Sequence, residues 1–250
     1  HDKLLHKLNH YGINGTLHKW LTSFLTQRTM RVALEGITSD DTTVDSGVPQ
    51  GTVLGPILFL CHINDLPNSV KSQVRLFADD CLIYREIASF QDHQTLQHDL
   101  KQLEAWADDW GMTFNAAKCY ILSINPSSNF LYQLNNTILK HVPQNPYLGI
   151  LLSADLKWSA HISNISKKAS STLGFLRRNL RRCPATCRKQ AYLALVRPLL
   201  EYGATVWDPY LQKDVDCLEK IQRTAARFIS GDFKSTTPGS VARLLQRTGL

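Results

Sequence analysis

The order of apolar and polar residues divides the chain into segments of different period. Leu4, Leu5 and Leu8, and after a turn at residues 11–15 Leu17, Trp20, Leu21, Phe24 and Leu25, recur at helical spacing. The period then changes. Met30, Val32 and Leu34 alternate with polar neighbours, and beyond residues 36–41 a second short segment, Thr42–Val44, completes a predicted hairpin. Residues 46–51 read as a loop, the apolar run 53–63 as a buried helix closed by Leu66-Pro67, and residues 74–84 as strand on both sides of an acidic pair. Leu96, Leu100, Leu103, Ala107 and Trp110 predict an amphipathic helix that stops at Gly111. Residues 113–124 and 130–139 read as further strands. After Pro143 and Pro146 a short apolar piece, residues 147–152, leads into three predicted helices. The first carries the stripe Ile162, Ile165, Ala169, Leu173, Leu176 and Leu180; the third carries Val215, Leu218, Gln222, Ala225 and Ile229, with Glu219 and Arg223 four residues apart. Strands mixed with helices, followed by helices alone, predict an α+β unit near residues 1–150 and a helical unit after it.

The composition, 43% apolar and 20% charged over 250 residues with 13 Gly and 10 Pro, excludes disordered and collagen-like classes. Charge adds more. The net charge is +7, yet residues 156–200 alone hold ten basic side chains and no Asp or Glu, leaving the rest of the chain with 18 basic and 21 acidic residues. A single-sign helical face of this kind is the electrostatic footprint of a polyanion binder, nucleic acid first among them; the plainer alternative is a well-solvated helix face. Six cysteines sit mostly in apolar runs, and Cys183 and Cys187 lack the spacing and partner pair of a zinc site. No apolar run approaches the length of a membrane span, and the first residues carry no apolar signal core, so the expectation is an intracellular protein without a membrane partner.

Two constellations carry chemistry. Asp79-Asp80 interrupts strand-like residues on both sides. Adjacent carboxylates at a hairpin tip can share divalent cations that bridge to phosphates, although Asp is also a favoured turn residue in its own right. The pairs Asp40-Asp41 and Asp108-Asp109 are assigned to solvent. Ser46-Gly47-Val48-Pro49-Gln50-Gly51 joins two glycines, a stiffening proline and an amide that both donates and accepts. It lacks the Gly-Lys-Ser/Thr of a P-loop, which excludes that type of ATPase.

Taken in order, Ser46-Gly-Val-Pro-Gln-Gly-Thr-Val-Leu-Gly-Pro-Ile-Leu-Phe59, Ile63-Asn-Asp-Leu-Pro67 and Leu76-Phe-Ala-Asp-Asp80 resemble the reverse transcriptase of non-LTR retrotransposons of the Jockey and CR1 groups. Trp110-Gly-Met-Thr-Phe-Asn115 with Lys118, Tyr147-Leu-Gly149 with Leu156, Trp158 and His161, and Glu201-Tyr-Gly203 with Trp207 extend the resemblance over nearly the whole chain.

The resemblance implies an α+β fold: a right-hand polymerase palm, an antiparallel sheet with packed helices, over residues 1–146 with part of the fingers, then a primer-grip hairpin and an all-helical thumb over 147–250. It implies RNA-directed DNA polymerase activity on an RNA template and DNA primer with dNTP, nuclear in a eukaryotic host. Asp79 and Asp80 would bind two Mg²⁺ ions, and Lys118 would sit near the leaving phosphates. Gly47, Val48, Pro49, Gln50 and Gly51 would line the nucleotide and template; Tyr147, Leu148 and Gly149 would grip the primer. Lys167, Lys168, Arg177, Arg178, Arg181 and Arg182 would hold the nucleic-acid backbone. The family's further catalytic Asp falls before the segment matching residues 1–5, and Asp2 is not its equivalent. The fingers and an N-terminal endonuclease also fall outside the match, so the expectation is a polymerase piece that is inactive alone. The alternatives are a catalytically dead remnant that binds nucleic acid through its basic helices, and a helical module that docks an acidic protein.

Overall fold

The structure, a computed structural model, describes residues 1–125, 130–235, 237 and 239–249. The chain forms two compact units, His1–Cys119 with Asn129–Leu139, and Tyr120–Ser128 with Lys140–Leu250.

In the first unit, α1 (Asp2–His10) and α2 (Gly15–Leu25) bury Leu4, Leu5, Leu8, Leu21 and Leu25 against each other and against Leu58. The predicted hairpin is a nested pair. β1 (Arg28–Met30) runs antiparallel to β4 (Thr42–Val44), and inside them β2 (Ala33–Leu34) pairs with β3 (Ile37–Thr38) around Glu35-Gly36. Next comes α3 (Leu54–Ile63), which corrects the expectation of a buried helix over 53–63. Gly55, Leu58 and Ile63 are buried, whereas Val53, Ile57 and Leu60 are more than half exposed. An apolar run gives no periodicity with which to tell a two-sided helix from a one-sided one.

After a 3₁₀ turn at Leu66–Ser69, β5 (Gln73–Phe77) and β6 (Asp80–Tyr84) form an antiparallel hairpin in which Phe77 faces Asp80. α4 (Phe90–Trp110) follows, opened by a Ser89/Asp92 capping box and ended at Gly111 as its apolar spacing predicts. Its buried Asp99 accepts hydrogen bonds from the Lys71 and Ser72 backbone N–H groups (3.0 and 2.8 Å), which fixes the start of β5 on the helix. The strand expected over 113–124 is instead a 3₁₀ turn at Ala116–Lys118 followed by the two-residue β7 (Tyr120–Ile121). The strand expected over 130–139 is a hairpin, β8 (Gln133–Leu134) and β9 (Thr137–Ile138), because Asn135 and Asn136 both adopt positive φ, 48° and 57°. Gln97 of α4 holds that hairpin by bonding both the N–H and the C=O of Gln133.

In the second unit β7 pairs in parallel with β10 (Lys140–His141), and β11 (Gln144–Tyr147) folds back on β12 (Ile150–Ser153). Five helices follow among the described residues, not the three predicted: α5 (Ser159–Asn179), α6 (Ala185–Leu195), α7 (Arg197–Glu201), α8 (Gln212–Ser230) and α9 (Ser240–Thr248). The first five residues of the predicted α5 stripe are buried, and Leu180 packs beside them. α5, α6 and α8 share one core through Ala169, Leu173, Leu176, Tyr192, Ile221, Ala225 and Phe228.

The α+β class holds. The continuous antiparallel sheet does not: among the described residues the strands form six two-stranded ladders, one of them parallel. Four of the ladders are closed on themselves by two-residue turns, at 35–36, 78–79, 135–136 and 148–149.

Candidate functional site

Among the described residues, the 77–80 turn is one of three two-residue hairpin turns in the first unit. A two-residue connection between right-twisted strands requires positive φ at its tip, and Ala78 supplies it at φ 50°. A non-glycine residue there is strained, and alanine is the smallest side chain that can carry the strain. The next residue, Asp79, and the first of β6, Asp80, are both exposed. Neither carboxylate has an ion-pair or hydrogen-bond partner among the described residues. Unpaired carboxylates in water are hard-oxygen donors ready for a cation. Mg²⁺ takes one or two carboxylates and completes its octahedron with water and substrate phosphates, so the pair fits such an ion chemically. Among the described residues no group of three or more His, Cys, Asp or Glu is placed to hold a metal ion.

Cys81, directly after Asp80, has its thiol pushed up to about 11, first by burial and then by the nearby Cys119 thiol. Burial also raises Cys119, whose Sγ lies 3.3 Å from the Asn115 carbonyl oxygen. The chain therefore brings residue 119 beside residue 81. Lys118, exposed, ends the one-turn 3₁₀ segment just before Cys119. Both cysteines are free thiols.

The 46–51 loop is built by α3. Thr52 donates its hydroxyl to the Pro49 carbonyl oxygen (2.8 Å) and accepts from Gly55 N–H (3.0 Å). A Cβ on Gly55 would stand 2.5 Å from the Pro49 oxygen, so the loop can close on the helix only over glycine. The sequence assigns Gly55 no role: it is the second residue of α3, and the backbone oxygen it makes room for is brought there by the fold. Val48, half-buried in the loop, packs its side chain on the α1–α2–α3 core. The Gly47 carbonyl meets His1 Nε2 at 2.9 Å and the Arg28 guanidinium at 3.4 Å. Gln50 and Gly51 are left exposed.

In the second unit, residues 147–149 sit at the β11–β12 turn, with Leu148 and Gly149 at φ 47° and 81°. Three later residues brace this turn. Tyr202 donates to the Leu148 carbonyl oxygen (3.0 Å), Trp207 Nε1 donates to the Tyr202 carbonyl oxygen (3.0 Å), and His161 Nδ1 accepts from Leu151 N–H (3.2 Å). His161 packs edge-on to Trp207, with ring centroids 5.1 Å apart, and burial lowers its pKa. A Cβ on Gly203 would meet Ile150 Cδ1 at 2.7 Å. The separated motifs at 147–149, 161, 201–203 and 207 are thus one scaffold.

Lys167, Lys168, Arg177, Arg178, Arg181 and Arg182 are all exposed. Two others of the basic stretch serve the fold: Arg188 Nη1 donates to the Phe228 carbonyl oxygen at the end of α8 (2.8 Å), and Arg197 pairs with Glu201. Among the described residues no helix is long and apolar enough to cross a membrane.

Residues 1–152 match the family model described as reverse transcriptase (RNA-dependent DNA polymerase). The chain belongs to the reverse transcriptase family. It is 27% identical over 229 residues to the RNA-directed DNA polymerase from mobile element jockey of Drosophila melanogaster, covering 86% of this chain and 25% of that protein. It is also 27% identical to the probable RNA-directed DNA polymerases from transposon X-element (84% of this chain, 24% of that protein) and transposon BS (92% and 27%) of the same organism. This reverse transcriptase chain therefore spans about a quarter of the length of the curated relatives it matches. The matched region contains the 46–51 loop, the Asp79-Asp80 turn, Lys118 and the 147–149 turn.

Proposed function

We propose that the chain supplies the palm (residues 1–146) and the primer grip and thumb (residues 147–250) of an RNA-directed DNA polymerase that copies an RNA template onto a DNA primer from dNTP. The observation that carries this reading is the pair of adjacent, exposed and unpartnered carboxylates, Asp79 and Asp80, at a strained two-residue turn in a reverse transcriptase. Asp79 is the principal metal-binding carboxylate and Asp80 supports it, with a third carboxylate supplied from outside these 250 residues. Two Mg²⁺ ions, if held there, would supply activation of the primer 3′-hydroxyl and neutralisation of the departing pyrophosphate. Lys118 Nζ offers a proton to the leaving phosphate oxygen. The Gln50 amide and the 47–51 backbone orient nucleotide and template, and the braced 147–149 turn seats the primer end. The six exposed basic side chains of residues 167–182 hold the duplex by its phosphates without reading its sequence.

A second reading, binding without catalysis, is favoured by one observation: Lys167, Lys168, Arg177, Arg178, Arg181 and Arg182 are all exposed, whereas Asp79 and Asp80 belong to no group of three metal-ligating side chains among the described residues. Primer extension on poly(A) with dNTP and Mg²⁺ separates the two. It compares this chain, a form extended N-terminally by the sequence the relatives have there, and the extended form with Asp79→Ala. Polymerase function predicts extension by the longer form and its loss in Asp79→Ala. Absence of extension from every folded form, with salt-sensitive duplex binding retained, leaves the binding reading.

A further inference from the structure

All six cysteines are free thiols, and one pair of them flanks the start of α6. Cys183 precedes the N-cap residue Pro184, and Cys187 is the third residue of the helix. The two side chains meet in a thiol–thiol hydrogen bond. Cys187 is exposed and Cys183 is half-buried. The turn that carries the chain from α5 into α6 is closed by the Cys183 N–H on the Leu180 carbonyl oxygen and by the Arg188 N–H on the Pro184 carbonyl oxygen, both at 3.1 Å.

Neighbouring free cysteines in a protein are ordinarily two small apolar side chains packed together. Cys81 and Cys119 fit that description: burial raises both thiols, Cys81 to about 11, which keeps them protonated and inert. The pair at α6 differs in access and in charge. A reagent in solution reaches Cys187 directly, and the pair is flanked in sequence by Arg181, Arg182, Arg188 and Lys189, within a stretch, residues 156–200, that holds no Asp or Glu. That setting favours the approach of an anion. Cys183 is less accessible, its thiol raised first by burial and then by the Cys187 thiol, with Arg188 opposing the shift. Its contact with Cys187 places it to resolve whatever bond forms there.

We propose that Cys183 and Cys187 are a redox-active dithiol that takes a small anionic disulfide of the glutathione type as its oxidant and closes to an intrachain disulfide across the first turn of α6. Cys187, its proton lost to solvent, attacks one sulfur of the reagent. The reagent S–S bond breaks, a mixed disulfide forms on Cys187, and one thiolate departs. Cys183 then loses its proton to solvent and attacks Cys187 Sγ, which forms the intrachain bond and expels the second thiolate. Two protein thiols are oxidised, and one reagent disulfide is reduced to two thiols. Sulfurs already in contact need only side-chain torsion and a small shift of the 180–184 turn to reach bonding geometry. The bridge ends one residue before Arg188, which holds the end of α8 through the Phe228 carbonyl oxygen.

The test equilibrates the full 250-residue chain in mixtures of oxidised and reduced glutathione at fixed total concentration, then alkylates the remaining thiols. Trypsin, cutting after Arg182 and Arg188, isolates residues 183–188 with both cysteines for mass spectrometry. The expected product is that peptide with neither cysteine alkylated and two hydrogens lighter than the dithiol, returned to the dithiol by dithiothreitol, while the other four cysteines stay alkylated. Because the fold holds the two sulfurs together, half-conversion is expected at a several-fold lower ratio of oxidised to reduced glutathione in the native chain than in the chain unfolded in urea. Cys183→Ser removes the second step and is expected to accumulate glutathione on Cys187. A lasting glutathione adduct on Cys187 of the parent chain, a disulfide between two chains, or modification spread evenly over the six cysteines overturns the dithiol. So does a half-conversion ratio no lower in the native than in the unfolded chain. None of these measurements involves nucleotide or duplex, so the dithiol stands or falls apart from the polymerase reading.

Discussion

The Tyr202 hydroxyl donates to the Leu148 carbonyl oxygen across 3.0 Å, joining a residue after α7 to the turn between β11 and β12. The Leu148 side of this bond sits at positive φ, where a non-glycine residue is held only by its surroundings. Gly203 adds the second half of the brace, flush against Ile150. Tyr202→Phe is expected to lower unfolding stability by about 0.5–1 kcal/mol, the net worth of one neutral hydrogen bond at a surface. Gly203→Ala is expected to cost about 1–3 kcal/mol, since its Cβ overpacks Ile150. Urea denaturation of the full chain measures both, and faster amide exchange at residues 148–151 in Tyr202→Phe would place the effect at the turn.

Glu201-Tyr-Gly203 and Trp207 stood out in the sequence as motifs without a physical reason, and the brace supplies it. Other elements were legible because one local signal sufficed: the 4-3-4-3 spacing before Gly111 gave α4, and strand chemistry around Asp79-Asp80 gave the β5–β6 hairpin. Failures came where the signal was long-range or uniform. Asn135-Asn136 sat inside an alternating run and its turn chemistry was passed over; the apolar run 53–63 could not reveal that Val53, Ile57 and Leu60 face outward. Gly55 was missed as a loop-shaping residue because the Pro49 carbonyl that fixes it is a tertiary fact.

Gly55→Ala tests the loop. Its Cβ would enter the Pro49 carbonyl oxygen at 2.5 Å, a backbone atom that can retreat only by moving residues 49–52. The expected outcome is a folded chain, with an unchanged far-ultraviolet dichroism spectrum, whose N-terminally extended form shows a raised KM for dNTP in primer extension. An unchanged KM would separate the loop from the nucleotide.

Ala78 carries the strain of the Asp79-Asp80 turn. Ala78→Gly relieves a left-handed conformation that costs an L-residue about 1 kcal/mol, and it is expected to leave stability unchanged or raise it by up to about that much. Ala78→Val, β-branched at positive φ, is expected to destabilise the hairpin by about 1–2 kcal/mol. Denaturation midpoints order the three proteins Gly, Ala, Val from most to least stable; a more stable valine variant would contradict the turn geometry.

Lys7 is almost fully buried, with its ammonium donating to Asp65 and to the His62 carbonyl oxygen and lying 3.7 Å from the centroid of the Trp110 ring. Burial lowers its pKa while Asp65 opposes that shift. Asp65→Ala leaves the charge without its counterion. The expected loss is about 2–3 kcal/mol, below the figure for a fully buried pair because the Asp65 side chain keeps 34% of its surface in water. Lys7→Met fills the same space without charge and is expected to cost less than Asp65→Ala. If the lysine variant is the less stable of the two by denaturation, the cation–π contact rather than the ion pair holds this corner.

His161 and His62 make the fold sensitive to acid. Burial lowers both pKa values from the ordinary 6.5, with Lys168 adding to the shift at His161 and Lys7 at His62. A folded-state pKa below the unfolded value means that the unfolded chain binds protons first. The stability due to each neutral ring is therefore complete above about pH 6.5, is lost progressively as pH falls toward the folded-state value, and does not fall further from this source below it. At His161 the structural cost is specific, because protonating Nδ1 removes the acceptor for Leu151 N–H at the start of the braced strand. Unfolding free energies measured from pH 8 to pH 5 are expected to fall through the lower half of that range. His161→Phe should start less stable at pH 8 and show a shallower decline, retaining the part that belongs to His62. A decline as steep as that of the parent chain would mean that His161 takes up its proton equally in both states, which a ring buried against Trp207 and bonded through Nδ1 does not allow.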